Sequence, residues 1–111
     1  MTVAIYARVS SDSQEARGTV GSQLAALRHK LAELEHQVVH EYTDDGYSGA
    51  RRERPGLDAL RDAAEAGLFE QVWCLTPDRL ARSRASQGLI TDELARHGVE
   101  VQYLATLEIM Q

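Results

Sequence analysis

The sequence predicts an α/β fold, a three-layer domain in which one parallel sheet carries helices on both faces. Three observations lead there. Four short apolar runs rich in β-branched residues alternate with segments whose apolar residues recur every three or four positions. That alternation, strand then helix and closing on a strand, is the pattern of parallel strands joined by helical crossovers. The chain has 111 residues, enough for one such domain and too few for two cores.

The elements follow in order. Thr2 to Val9 is short, apolar and β-branched, which predicts a buried strand. Ser10 to Gly18 is polar, ends in glycine and is expected to be a loop. From Gly21 to about Glu35, Leu24, Leu27, Leu31 and Leu34 line one helical face. Val38 to Thr43 predicts a second strand, and the charged, glycine-containing stretch Asp44 to Arg54 a mobile loop. Pro55 suits the first position of a helix, with Leu57, Leu60 and Ala64 inward and Gly67 just past its end. Gln71 to Leu75 is the third strand. Thr76 is a candidate N-cap for a helical segment that begins at Pro77 and continues through Leu89, Ile90 and Leu94 to Gly98. Val99 to Leu104 is the fourth strand, giving the order β-α-β-α-β-α-β.

Composition narrows the function classes. A hydrophobic share of 43% and a charged share of 26% are ordinary for a soluble globular chain. No apolar stretch is long enough to span a bilayer, and the start, Met-Thr-Val-Ala-Ile-Tyr-Ala-Arg, lacks the layout of a secretory signal. Cys74, the single cysteine, lies in an apolar run, so a buried reduced thiol and a cytoplasmic location are expected. A net charge of -5 argues against a general nucleic-acid binder. Yet arginine supplies eleven of the twelve basic residues, and six of these fall in two clusters: Arg51, Arg52, Arg54 and Arg79, Arg82, Arg84. A GC-rich coding sequence would account for the preference for arginine but not for the clustering. Arginine's planar fork of donors matches phosphate geometry.

In open α/β sheets ligands bind outside the carboxyl ends of the strands. Three polar groups are expected there. At the end of the first strand, side-chain alternation puts Arg8 and Ser10 on one side and Ile5, Ala7 and Val9 on the other. This sets a hydroxyl beside a guanidinium; the plain alternative is a serine that ends a strand and an arginine in a structural ion pair. After the third strand comes Asp78-Arg79-Leu80-Ala81-Arg82, where Arg79 and Arg82 are expected on one helical face. Asp78 suits a helix start, but arginines there oppose the helix dipole, a conflict that suggests an anion is expected. A solvated basic helix start is the alternative. The third group is Tyr42 to Gly49 with Arg54-Pro55-Gly56, whose Asp and Gly are also ordinary turn residues. His29, His36, His40 and His97 have no metal-site spacing and are expected on the surface, and no phosphate-binding glycine loop follows the first strand. No metal and no cofactor are expected.

These three segments, in this order, resemble the catalytic domain of serine recombinases: the resolvases, invertases and large serine integrases. Tyr6-Ala7-Arg8-Val9-Ser10 with Gln14 is similar to the opening motif of that family. Tyr42-Thr43-Asp44, Tyr47-Ser48-Gly49 and Arg54-Pro55-Gly56-Leu57 resemble the middle motif, and Asp78-Arg79-Leu80 with Arg82 the third. The style of the middle motif looks more like the large integrases. The resemblance covers nearly the whole chain. It implies that Ser10 is a nucleophile that forms a 5′-phosphoseryl bond with DNA. It further implies Arg8, Arg79, Arg82 and Arg54 as phosphate ligands, with Gln14, Asp44 and Ser48 ordering the site. Asp78 would position an arginine or handle a proton. The implied partners are double-stranded DNA and further copies of the protein, a dimer and a synaptic tetramer in the full-length molecule, with no membrane. Residues 1–111 would then be the N-terminal catalytic domain, lacking the family's long interface helix and C-terminal DNA-binding part. Such a fragment, a monomer or a weak dimer, is expected to fold yet not recombine DNA. Two alternatives remain at this point. One is a receiver-like phosphoacceptor domain binding Mg²⁺ through Asp44, Asp45 and Asp78; the other is an interaction domain that kept the fold without the activity.

Overall fold

A computed structural model of the chain describes residues 1–9, 19–45 and 55–105. Its elements are β1 (Thr2–Val9), α1 (Val20–Glu33), β2 (Gln37–Asp45), α2 (Pro55–Glu65), β3 (Gln71–Cys74), α3 (Pro77–Leu80), α4 (Arg84–Arg96) and β4 (Glu100–Tyr103). The strands form one sheet in the order β2-β1-β3-β4, with every pairing parallel. The expected α/β architecture is therefore present.

β1 is central, which is why it reads as an apolar run instead of an alternating one: both of its faces are covered. Val3, Ile5 and Ala7 pack with Leu24, Leu27 and Leu31 of α1, together with Trp73 and Leu104. Ala4 and Tyr6 pack on the opposite side with Leu57, Leu60, Ala63 and Ala64 of α2, and with Val72, Leu80 and Leu94. Helix α1 thus covers one face, and α2 and α4 the other.

One irregularity sets the phase of β2. Val3 lies opposite Val38 but Ala4 lies opposite His40, so the register shifts at Val39. A shift of one residue exchanges the faces of a strand. Beyond it, Tyr42 lies opposite Tyr6 and Asp44 opposite Arg8. Asp44 therefore comes to the α2 side of the sheet.

Two expectations need correction. Asp44 and Asp45 are the last residues of β2, not the start of a loop, because the ladder with β1 runs on to Val9 and Asp45. The helical segment expected from Pro77 to Gly98 is two helices. α3 is a single turn that stops where Ala81 takes extended backbone angles (φ -160°, ψ 155°). α4 restarts after Ser83, whose side chain accepts a hydrogen bond from the backbone N–H of Ser86. Thr76 occupies the N-cap position of α3 but makes no side-chain cap. The expected loop over 10–18 and the remainder of the second loop, 46–54, lie outside the described residues.

Candidate active site

With the order β2-β1-β3-β4, the chain leaves β1 toward one edge of the sheet and returns through β3 toward the other. The crevice at the carboxyl ends of β1 and β3 is thus the switch point at which open α/β sheets bind ligands. Arg8 stands at the end of β1, and Asp78 and Arg79 follow β3.

Arg8 and Arg79 hold each other in place. The Arg8 guanidinium donates through Nε to the backbone carbonyl of Arg79 at 3.1 Å and through Nη2 to that of Asp78. In return, Arg79 Nη1 donates to the backbone carbonyl of Arg8 at 3.2 Å. Two cations are brought together because each addresses a carbonyl dipole at the root of the other. Arg79 is 4% exposed and Arg8 is half-buried. The conflict between Arg79 and the start of its helix is resolved in the same way, since its side chain leaves the helix for the end of β1. The Asp78 carboxylate is engaged by the Thr76 hydroxyl.

Arg82 departs from its expected placement. Arg79 and Arg82 do not share a helical face, because the helix ends between them at Leu80. Arg79 turns inward and Arg82 is exposed.

Asp44 is wholly buried and fully employed. The Tyr6 hydroxyl donates to its Oδ2 at 2.6 Å, the backbone N–H of Gly56 to Oδ1 at 2.7 Å and that of Leu57 to Oδ2 at 3.0 Å. The last two are donors left without partners in the first turn of α2, so a carboxylate from β2 caps α2 from across the chain. The positive end of the helix favours the negative charge. The approach is close enough to require glycine: a Cβ on Gly56 would lie 2.3 Å from the carbonyl oxygen of Thr43. Tyr6, Asp44 and the Pro55-Gly56-Leu57 start of α2 form one lock beside Arg8. This commitment removes Asp44 from the ligand set that a receiver-like Mg²⁺ site would need.

Of the site residues expected from sequence, Arg8, Asp44, Asp78 and Arg79 are therefore brought together and Arg82 lies outside on the surface. Ser10, Gln14, Ser48 and Arg54 lie outside the described residues. Among the described residues no group of three His, Cys, Asp or Glu side chains could hold a metal ion. His40 is not simply a surface residue; it stacks on Tyr42 and meets Phe69 edge-on. Cys74 is a buried free thiol. Among the described residues no helix is long and apolar enough to cross a membrane.

Sequence reading missed Gln23. It is 1% exposed, its Oε1 accepts from the backbone N–H of Arg8 at 3.3 Å, and its Nε2 donates to the Arg8 carbonyl at 3.1 Å. The available signal was a polar residue four and eight positions before Leu27 and Leu31, on the buried stripe of α1.

Comparison with known proteins identifies the family. Residues 3–111 match the family model "Resolvase, N terminal domain". Over 103 residues the chain is 39% identical to a Bacillus subtilis (strain 168) protein named "Putative DNA recombinase". That match covers 92% of this chain and 20% of the relative, so the chain spans about one fifth of its length. The N-terminal catalytic domain of TP901-1 integrase superposes with a TM-score of 0.81 at 32% identity, covering 96% of this chain and 78% of that one. The C-terminal catalytic domain of ISC1926 TnpA, an IS607-like serine recombinase, gives 0.80 at 28%, covering 99% and 75%. A resolvase family recombinase from Streptococcus pneumoniae, at 21% identity and a TM-score of 0.83 over 96% of this chain and 73% of that one, shares the fold. With residues 3–111 of its 111 matching the family model, the chain belongs to the resolvase N-terminal domain family, the catalytic domains of serine recombinases.

Proposed function

We propose that this chain carries the DNA-cleaving site of a serine site-specific recombinase, with Ser10 as the nucleophile. The observation that carries the reading is the reciprocal packing of Arg8 and Arg79 at the switch point of the sheet. Ser10 lies two residues beyond Arg8 in sequence, and the Arg8 and Arg79 guanidinium groups meet at the described end of β1.

The Ser10 hydroxyl attacks a DNA phosphorus. Oγ gives up its proton as the Oγ–P bond forms, and the bond from phosphorus to the 3′-oxygen breaks. The 3′-oxygen takes up a proton and leaves as a hydroxyl, so no net proton is gained or lost. Religation reverses these steps when the 3′-hydroxyl of another strand attacks the phosphoserine. The bond energy is kept in the covalent intermediate, so ATP is not required. Negative charge grows on the phosphoryl oxygens at the transition state, and fixed guanidinium donors stabilise it without reorganising. Arg8 and Arg79 are held by the fold. Arg82, on the surface, and Arg54 add reach toward the phosphate. Removal of one such donor typically costs about 3–4 kcal/mol of transition-state stabilisation. Asp78 helps to set the turn that carries Arg79, and Asp44 anchors β1 to α2; Gln14 and Ser48 complete the ordering of the site.

In this reading the partner is double-stranded DNA, engaged by a dimer and then a synaptic tetramer of the full-length protein. A net charge of -5 over these 111 residues leaves most of the DNA affinity to other parts of that protein. The test uses full-length protein and a nicked duplex carrying its recombination site. A protein–DNA adduct that survives denaturation is expected with the natural sequence and absent in Ser10→Ala. EDTA is expected to leave the yield unchanged. An adduct that persists in Ser10→Ala, or strict dependence on a divalent metal, contradicts the proposal.

A further inference from the structure

The end of β1 outruns one of its neighbours. β3 pairs with Val3, Ala4 and Ile5 alone, whereas β1 continues beside β2 as far as Val9. In an extended strand the N–H and C=O of one residue point to the same side. Backbone groups that lose their ladder there must find other partners, since leaving them unpaired costs as much as a lost hydrogen bond. At Arg8 the partner is Gln23. Its amide accepts from the Arg8 N–H and donates to the Arg8 C=O, the same acceptor–donor pair that an adjacent strand presents. Arg79 supplies a second donor to that carbonyl. The Arg8 peptide is therefore gripped from α1 and from α3 together.

A leucine at position 23 would continue the apolar stripe of α1 but would remove both bonds to the Arg8 backbone, and the buried amide is itself tolerated because its groups are bonded. What the amide adds is direction. We infer that Gln23 is a positioning residue for DNA cleavage: it fixes the Arg8 peptide, and with it the root of the guanidinium and the path by which the chain leaves β1 toward Ser10. The inference rests on Ser10 being the nucleophile.

Two variants of the full-length protein test it. Gln23→Met keeps the length of the side chain and removes both bonds, while Gln23→Glu keeps the acceptor and loses the donor. With a nicked-site duplex at saturation, Gln23→Met is expected to form the Ser10-linked adduct roughly a hundredfold more slowly, the scale of a misplacement of about 1 Å in a reacting group. The DNA concentration at half-saturation should stay unchanged, and Gln23→Glu should fall between Gln23→Met and the natural sequence. Amide exchange at Arg8 should accelerate in Gln23→Met, while exchange at Leu27 and Leu31 does not. Unchanged adduct rates in both variants would overturn the inference while leaving Ser10 in its role. So would a slower rate that simply tracks weaker DNA binding. If Gln23→Met does not fold, Gln23→Glu alone decides: a full natural rate overturns the inference, and a selective loss of rate at unchanged half-saturation supports it. Absence of any Ser10-linked adduct from the natural sequence would overturn the reading beneath it as well.

Discussion

Arg79 shows how a single residue changes meaning between sequence and structure. Its spacing from Arg82 reads as one exposed helical face, but Leu80 ends the turn and Arg79 folds inward onto the Arg8 carbonyl. Neither Gly nor Pro occurs in Leu80-Ala81-Arg82 to announce the break. The one local signal is Ser83, a residue suited to cap the helix that follows. The place of Arg8 at the end of β1 was legible because a short apolar run is a local signal, while Ser10 lies outside the described residues. Asp44 was legible as one of the polar residues near the strand ends, but its lock with Tyr6 and Gly56 was not, because those partners are distant in sequence. Its commitment to three donors yields a prediction. Asp44→Ala strands the Tyr6 hydroxyl and the first N–H groups of α2, and should lower stability by about 3–5 kcal/mol. Asp44→Asn, which keeps an acceptor, should cost less. Urea denaturation of the three proteins measures both.

At the scale of elements, helix ends divide into those the sequence marks and those it hides. α2 and α4 are followed by Gly67 and Gly98 with φ of 77° and 78°, as expected of glycine at a helix stop. α1 closes with the same bonding pattern, the N–H of His36 reaching the carbonyl of Leu31 and that of Glu35 reaching Ala32, yet its left-handed position holds Glu35 at φ 61°. No glycine marks that end, although the leucine spacing places it at about Glu35. A side chain in this region costs about 1–2 kcal/mol, so Glu35→Gly should raise stability by roughly 1 kcal/mol, seen as a higher denaturant midpoint with an unchanged slope. On the outer surface Arg28 of α1 grips Glu41 of β2 with two hydrogen bonds. The Arg28 guanidinium holds the Glu41 carboxyl below the usual carboxylate range. A carboxyl lowered by folding stabilises above its unfolded pKa, about 4.3, and the contribution is lost as pH falls through the lower folded value. The stability difference between the natural sequence and Arg28→Ala should therefore be present at pH 6 and shrink toward pH 3. Both groups are largely solvated, so the difference is small.

For the whole molecule, the order of strands was not legible. Alternating periodicity gives parallel strands and helical crossovers but does not say which strand is central. The sheet β2-β1-β3-β4 places the ends of β1 and β3 side by side, and this adjacency joins residues 8 and 79 into one site. It also gathers two arginines, Arg8 and Arg79, at one crevice of an acidic chain, while Arg28, Arg82, Arg84 and Arg96 are exposed. Identification of the residue joined to DNA tests this account most directly. The trapped complex from full-length protein is digested, and the peptide that carries the nucleotide is sequenced by mass spectrometry. A 5′-phosphoryl linkage on Ser10 is expected. A linkage on Ser11 or Ser13, or one through a 3′-phosphate, would contradict it.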